Sequence, residues 1–489
     1  MILTVLESPR GRGARAGHGG LEPRRLLPER SDIPSWIRLL AAIAVVLTIV
    51  ACLVLVTSAR SVQGGIDVIG KRTAPGVTAA EDLYFALADM DAQLANVLLA
   101  GNDPVLAKIK SDALSAYDRD RVQADADLQE AATIAGADDS AQKPIRDLLD
   151  QFGRYEALAA DTILLEDRDG NPAGRPSPDV LDPYRQATSL MRGTLDSAHQ
   201  LTVANSTTLN RAYDHTRGST ATGQIWLVVL GIAILAVLVG LQVLLRITTR
   251  RRINPGLLAA TVVVAVLLVA GFGALGTASG HLRTAKQDAF DSLLALRQAR
   301  AVGYDANADE SRYLVDPQNA AKFQQAFLDK SNSLADVHAD RIDDYDDALA
   351  KALQAYQRNH DDVQIGGFFG TELKNITFPG ERAAAEQTLA AYQTFERADR
   401  TMREKARTDL RDAIAFGTGN DPGQSNFDFY QFDKALLGLI DINQRAFDRS
   451  IADAERAGSG WTLFIPLAGA ILVTVLVAVG IRPRLAEYR

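Results

Sequence analysis

The side chains that could do chemistry are few and scattered. Six histidines, His18, His199, His215, His281, His338 and His360, fall in no spacing that would gather metal ligands. No nucleophile elbow, phosphate loop or dinucleotide fingerprint occurs. The acidic run DDYDDALAK at 343–351 lies on an expected helix, where its carboxylates spread around a solvated surface and lack the glycine turn of a calcium loop. A three-residue glycosylation match, NIT at 375–377, carries no weight alone. The one dense cluster of charge is cationic: Arg246, Arg250, Arg251 and Arg252 stand between Leu245 and Leu257 with no acid among them. Such a knot catalyses nothing, but it can hold a loop on the cytoplasmic side of a membrane or meet a partner there. No enzyme activity, cofactor, metal or nucleic-acid partner is expected.

Apolar runs flank this knot. Four stretches, 39–57, 225–245, 257–279 and 461–481, contain no Asp, Glu, Lys or Arg. Each exceeds the ~18 residues that let a helix cross a bilayer. The three tryptophans, Trp36, Trp226 and Trp461, stand at the entrances to three of these runs, where an amphipathic ring favours the membrane–water interface. Whole-chain figures, 47% hydrophobic with a net charge of −8, hide this segregation.

Charge sets an expected topology. The first 38 residues hold seven Arg against four acids, and the tail RPRLAEYR holds three Arg against one Glu. Segment 61–222 carries 15 Lys/Arg against 25 Asp/Glu, and 278–460 carries 22 against 30. Basic segments stay inside, so the chain is expected to lie in a membrane with both termini cytoplasmic. The expected units are a disordered basic tail (1–35), span one (36–58), ectodomain one (59–223), span two (224–245) and an arginine turn (246–256). Span three (257–279), ectodomain two (280–460), span four (461–481) and a short tail (482–489) follow. Residues 49–52 fit a lipoprotein cleavage pattern, but the run stays apolar after Cys52, so Cys52 is expected to face lipid or a neighbouring helix. As the only cysteine it forms no intramolecular disulfide. The four apolar runs hold no Asp, Glu, Lys or Arg, which argues against an ion pathway.

The ectodomains read as helical. Positions 66, 69, 73, 76, 80, 83, 87, 90, 94 and 97 are apolar at eight of ten places, the seam of a packed helix. Pro75 is expected to kink this helix or begin it. Breaks near 101–104, 136–144 and 169–183 divide the first ectodomain into four helices, and breaks near 316–317, 362–380 and 417–427 do the same for the second. The expectation is an all-α membrane protein with four transmembrane helices and two extracytoplasmic four-helix bundles, internally duplicated. Asp-Pro breaks in both halves, LLAGNDPVLAK at 98–108 and YLVDPQNAAK at 313–322, support the duplication. The halves differ at 362–382, a long loop with Phe368, Phe369 and Phe378, which either contacts an extracytoplasmic partner or caps the bundle tip.

A span, an outward four-helix bundle and a second span resemble the sensory half of bacterial chemoreceptors, as does the stretch APGVTAAEDLYFALADMDAQLANVLLAGND (74–103). In those receptors a cytoplasmic signalling module follows the second span; here the arginine turn follows. The duplicated arrangement is similar to actinobacterial GlnX-type membrane proteins. That resemblance implies a link between an extracytoplasmic amino-acid-binding lipoprotein and a soluble serine/threonine kinase. The expected function is a non-enzymatic transmembrane transducer, able to form a homodimer, with a cell-envelope scaffold as the alternative.

Overall fold

The computed structural model describes residues 33–136, 139–249 and 254–486. Three helical rods organise it. The first is α1 (Ile33–Asp67), a π-helical segment (Val68–Thr73) and α2 (Ala74–Ala100), 68 residues without a break. After α3 (Ala107–Ala135) and α4 (Asp139–Asp169), the second rod is α5 (Pro178–Thr249), 72 residues and so about 108 Å long. The third is α6 (Pro255–Arg283), a π-helical segment (Thr284–Phe290) and α7 (Asp291–Val315). Then come α8 (Ala320–Leu334), α9 (Ile342–Arg358), α10 (Gly367–Asn375), α11 (Glu381–Ala406), α12 (Leu410–Gly417), α13 (Ser425–Gly458), a 3-10 turn (Ser459–Thr462) and α14 (Phe464–Ala486). No strand occurs among the described residues. This is an all-α membrane protein: four helices are long and apolar enough to cross a membrane.

Local chemistry sets the helix ends. Pro75 stands where the π-helical segment gives way to α2, inside the unbroken rod, so it does not end the helix there. Asn254 caps α6 by accepting from the Gly256 and Leu257 amides, and it donates to the Gly480 carbonyl, tying α6 to α14. There the two backbones nearly touch: a Cβ on Gly256 would stand 2.9 Å from Gly480 Cα. The apolar segments of α1, α5, α6 and α14 form their own small core, with Ile37, Ala44, Ile234, Leu238, Val264 and Val473 at its centre. Within it the Gln242 amide donates to Thr261 Oγ1 at 2.9 Å, a packing role.

Beyond the apolar segments lies one helical body rather than two. A single hydrophobic core runs through both ectodomains, and α2 and α7 stand side by side at its centre. Every residue from 86 to 100 and from 303 to 312 is buried. A helix buried on all sides must pair its polar groups with neighbours, and here the neighbour is the other half. Arg297 pairs with Asp82 at 2.9 Å, Arg411 with Asp103 at 2.8 Å, and Arg185 with Asp316 at 2.7 Å. The Arg300 guanidinium sits 3.9 Å over the Phe85 ring.

The first ectodomain has the four expected helices. The second has more: its expected second helix is broken at 335–341, where His338 takes a left-handed conformation, into α8 and α9. The Tyr345 hydroxyl holds this corner, 2.6 Å from the Ser331 carbonyl and 2.7 Å from that of Ala335. The fourth apolar helix is also not continuous with its ectodomain helix, because the 3-10 turn separates α13 from α14.

Candidate functional site

The most concentrated buried charge lies where α2, α5, α7 and α8 meet. Arg312 on α7 enters the body with a side chain only 6% exposed. Its Nε and Nη2 donate to Asp91 Oδ2 of α2 at 3.0 and 2.7 Å, and its Nη1 donates to Asp305 and Asp309 at 2.9 and 2.6 Å. Lys330 of α8 closes the group at 2.7 Å from Asp305 and 2.5 Å from Asp309. The Thr188 hydroxyl of α5 donates to Asp91 at 3.3 Å. Helical spacing explains the α7 contribution: positions 305, 309 and 312 are four and three apart and share a face. Burial would raise the Asp305 carboxyl, but Lys330 and Arg312 outweigh it and hold it at about 2. Burial would likewise discharge Arg312, yet Asp91, Asp309 and Asp305 keep it well above its ordinary value. Three carboxylates against two cations leave one excess negative charge.

This cluster is the floor of a cleft of about 650 Å³ between the halves. Tyr84 and Phe323 form part of its walls, and Arg192, Asp196, Lys322 and Asp329 stand at its rim. The volume suits a small solute. The rim carries two cations and two acids and the floor one excess carboxylate, so the cleft is polar and net acidic.

Three further carboxyl pairs lie buried elsewhere in the body. Burial and the neighbouring Asp89 push Asp120 up to about 8, and burial likewise raises Asp89. Burial lifts Glu372 to about 8, with Glu381 within hydrogen-bond reach adding to the rise. Burial holds Glu310 well above its ordinary range, aided by Asp399. Glu372 Oε2 and Asp120 Oδ2 otherwise lack partners, as expected of a buried carboxyl held protonated beside another. Burial also raises Glu81 to about 7 and Glu396 to about 8. No three His, Cys, Asp or Glu form a metal-holding group among the described residues.

The residues singled out from sequence do not meet in this cleft. Phe369 is 2% exposed, its ring 5.7 Å from Tyr392 and 6.1 Å from Phe432, so it is core and not a partner contact. Phe368 and Phe378 pack partly buried against the same core. Their loop caps the end of the body nearest the apolar helices, not the distal tip. There the Asn375 amide donates to the Gln287 and Asp288 carbonyls of the π segment at 3.0 and 3.1 Å, and to Ser292 Oγ at 3.0 Å. Arg246 is exposed at the end of α5; Arg250, Arg251 and Arg252 lie outside the described residues. Trp36 and Trp226 are 45% and 54% exposed, and Trp461 is partly buried near Gly271. Sequence reading missed the Arg312 cluster. Its signal is present as acids and an arginine at helical spacing among alanines, in YDANADESR, but solvated faces look the same.

Residues 65–214 match a family described as an actinobacterial sensor domain. The match runs from the end of α1 into α5, so it covers the first ectodomain and supplies one wall of the cleft, through Tyr84, Thr188, Arg192 and Asp196. No curated protein and no solved structure matches the chain. A sensor domain joined to helices that can cross a membrane points to a sensing or signalling role.

Proposed function

We propose that this chain is a non-enzymatic transmembrane transducer with both termini cytoplasmic. The helical body faces outward, and a small polar solute such as an amino acid, or a binding protein carrying one, engages it at the interhalf cleft. The observation that carries this reading is continuity: Tyr84, Arg192 and Arg312 stand on the same uninterrupted rods that run into the first three apolar segments. A helix resists bending over its length, so a shift of about 1–2 Å beside the cleft would reach the far ends. Those ends carry the basic N-terminal tail and the arginine turn, where a separate cytoplasmic protein such as a serine/threonine kinase would read the change. The two halves share an order of span, π segment and buried central helix, which supports descent from a duplicated unit.

The test is cross-linking in intact cells, followed by purification and mass spectrometry of co-purifying proteins. It is run on the native chain and on one carrying Arg250→Ala, Arg251→Ala and Arg252→Ala. A solute-binding lipoprotein together with a kinase, the kinase lost in the variant, is the expected result. Recovery of envelope or division proteins alone, unchanged in the variant, would overturn the reading and favour a scaffold.

A further inference from the structure

The apolar helices hold a second feature, independent of the cleft. Between α1 and α14 lies an open groove of about 510 Å³. Ile49, Leu53 and Val56 line it on α1, and Leu467, Ile471 and Val475 line it on α14. From position 49 to position 60 the groove runs about 16 Å, close to one leaflet of a bilayer hydrocarbon core.

One charge breaks its apolar lining. Arg60 stands at the end nearest the helical body, exposed, with no hydrogen-bond or ion-pair partner among the described residues. Its depth is fixed by its neighbours. The adjacent Ser61 hydroxyl lies 2.7 Å from that of Ser219 on α5, and Trp226 follows seven residues farther into the apolar part of α5. Trp461 lies near Leu55, slightly deeper on α1 than Arg60. Tryptophans mark the headgroup boundary, so Arg60 lies just outside it, at the level of lipid phosphates. The fold supplies a contrast: a smaller groove of about 300 Å³ between α5 and α6, lined by residues such as Leu227, Ile232 and Phe272, has no charged side chain.

We propose that the α1–α14 groove binds an anionic phospholipid, one acyl chain along the groove and the phosphate on Arg60. The long arginine stem can lie along apolar surface while its head meets the phosphate. The inference needs only that these helices lie in a bilayer, so it stands or falls apart from the transducer reading.

The test uses the full chain in nanodiscs of equimolar phosphatidylglycerol and phosphatidylcholine, with retained lipids counted by native mass spectrometry. The expected result is one phosphatidylglycerol kept over phosphatidylcholine by about fivefold, the preference one interfacial cation gives. Arg60→Gln should keep lipid adducts and lose the headgroup preference; because Arg60 is exposed and unpaired, its melting temperature should match the native chain. Ala470→Phe, which fills the groove, should lose the adduct, whereas Gly231→Leu in the α5–α6 groove should leave the preference intact. No preference in the native chain, an unchanged preference in Arg60→Gln, or displacement of the lipid by inorganic phosphate at equal concentration would each overturn the proposal.

Discussion

Replacing Arg312 with Met tests the central cluster most directly. In the native body Arg312 answers three carboxylates, and Lys330 answers only Asp305 and Asp309. Without the guanidinium, Asp91 keeps one partner, the Thr188 hydroxyl at 3.3 Å. It must then stay charged in a dry site or take up a proton. Taking up a proton at pH 7.5, for a group that ordinarily ionises near 3.9, costs about 5 kcal/mol and sets a ceiling. Breaking one side of a buried pair typically costs about 3–5 kcal/mol. At about 2 °C per kcal/mol for a large domain, Arg312→Met should melt about 6–10 °C below the native chain. The signature is in its pH dependence: at pH 5.5 the same protonation costs only about 2 kcal/mol, so the deficit should shrink to about 4 °C or less. Asp91→Asn added to Arg312→Met should recover part of the loss at pH 7.5, since no charge then needs an answer. The assay is thermal unfolding of the nanodisc-embedded chain at both pH values. A deficit below about 2 °C, or one equal at both pH values, would refute the claim that Asp91 is buried away from water and answered by Arg312.

Four further outcomes are expected. Glu81, Asp120, Glu372 and Glu396 are held protonated by burial, at about 7 for the first and about 8 for the others. Their contribution is therefore intact near the ordinary carboxyl range and lost as pH rises toward 8, by up to about 1.4 kcal/mol per unit for each. The melting temperature should fall from pH 6 to pH 8, and a flat profile would show these carboxyls to be hydrated. Gly367 has φ of +67°, and a Cβ there would stand 2.5 Å from the Ser333 carbonyl oxygen. Gly367→Ala should cost about 1–3 kcal/mol, and limited proteolysis should find the 362–382 loop newly accessible. Gly480→Leu should separate α6 from α14 and lower stability by about 1–3 kcal/mol in detergent, read by the loss of monodisperse protein on heating. Ser61→Cys with Ser219→Cys, in a Cys52→Ala background, should form a disulfide on mild oxidation, because the native hydroxyls are 2.7 Å apart. Failure to cross-link would contradict the packing of α1 on α5 at the membrane boundary.

Some of this protein was settled by sequence alone. An uncharged apolar run has only one stable use at that length, so the four spans were legible one at a time, as were the tryptophans at their ends. Helices in the ectodomains were legible because a 3.5-residue seam is a local pattern. The joining of the ectodomains was not legible. In isolation, Asp91, Asp305, Asp309 and Arg312 look like ordinary solvated charges at helical spacing. Only the pairing of α2 with α7, across more than 200 residues of chain, takes them out of water and makes each the answer to another. The phenylalanine loop misled for the same reason. An aromatic cluster in a Gly-rich segment reads alike whether its rings face solvent or core, and Phe369 was placed by Tyr392 and Phe432 from distant helices. Sequence fixes what each segment prefers near itself; which charges are buried together, and hence where a cleft can form, depends on contacts that no local pattern encodes.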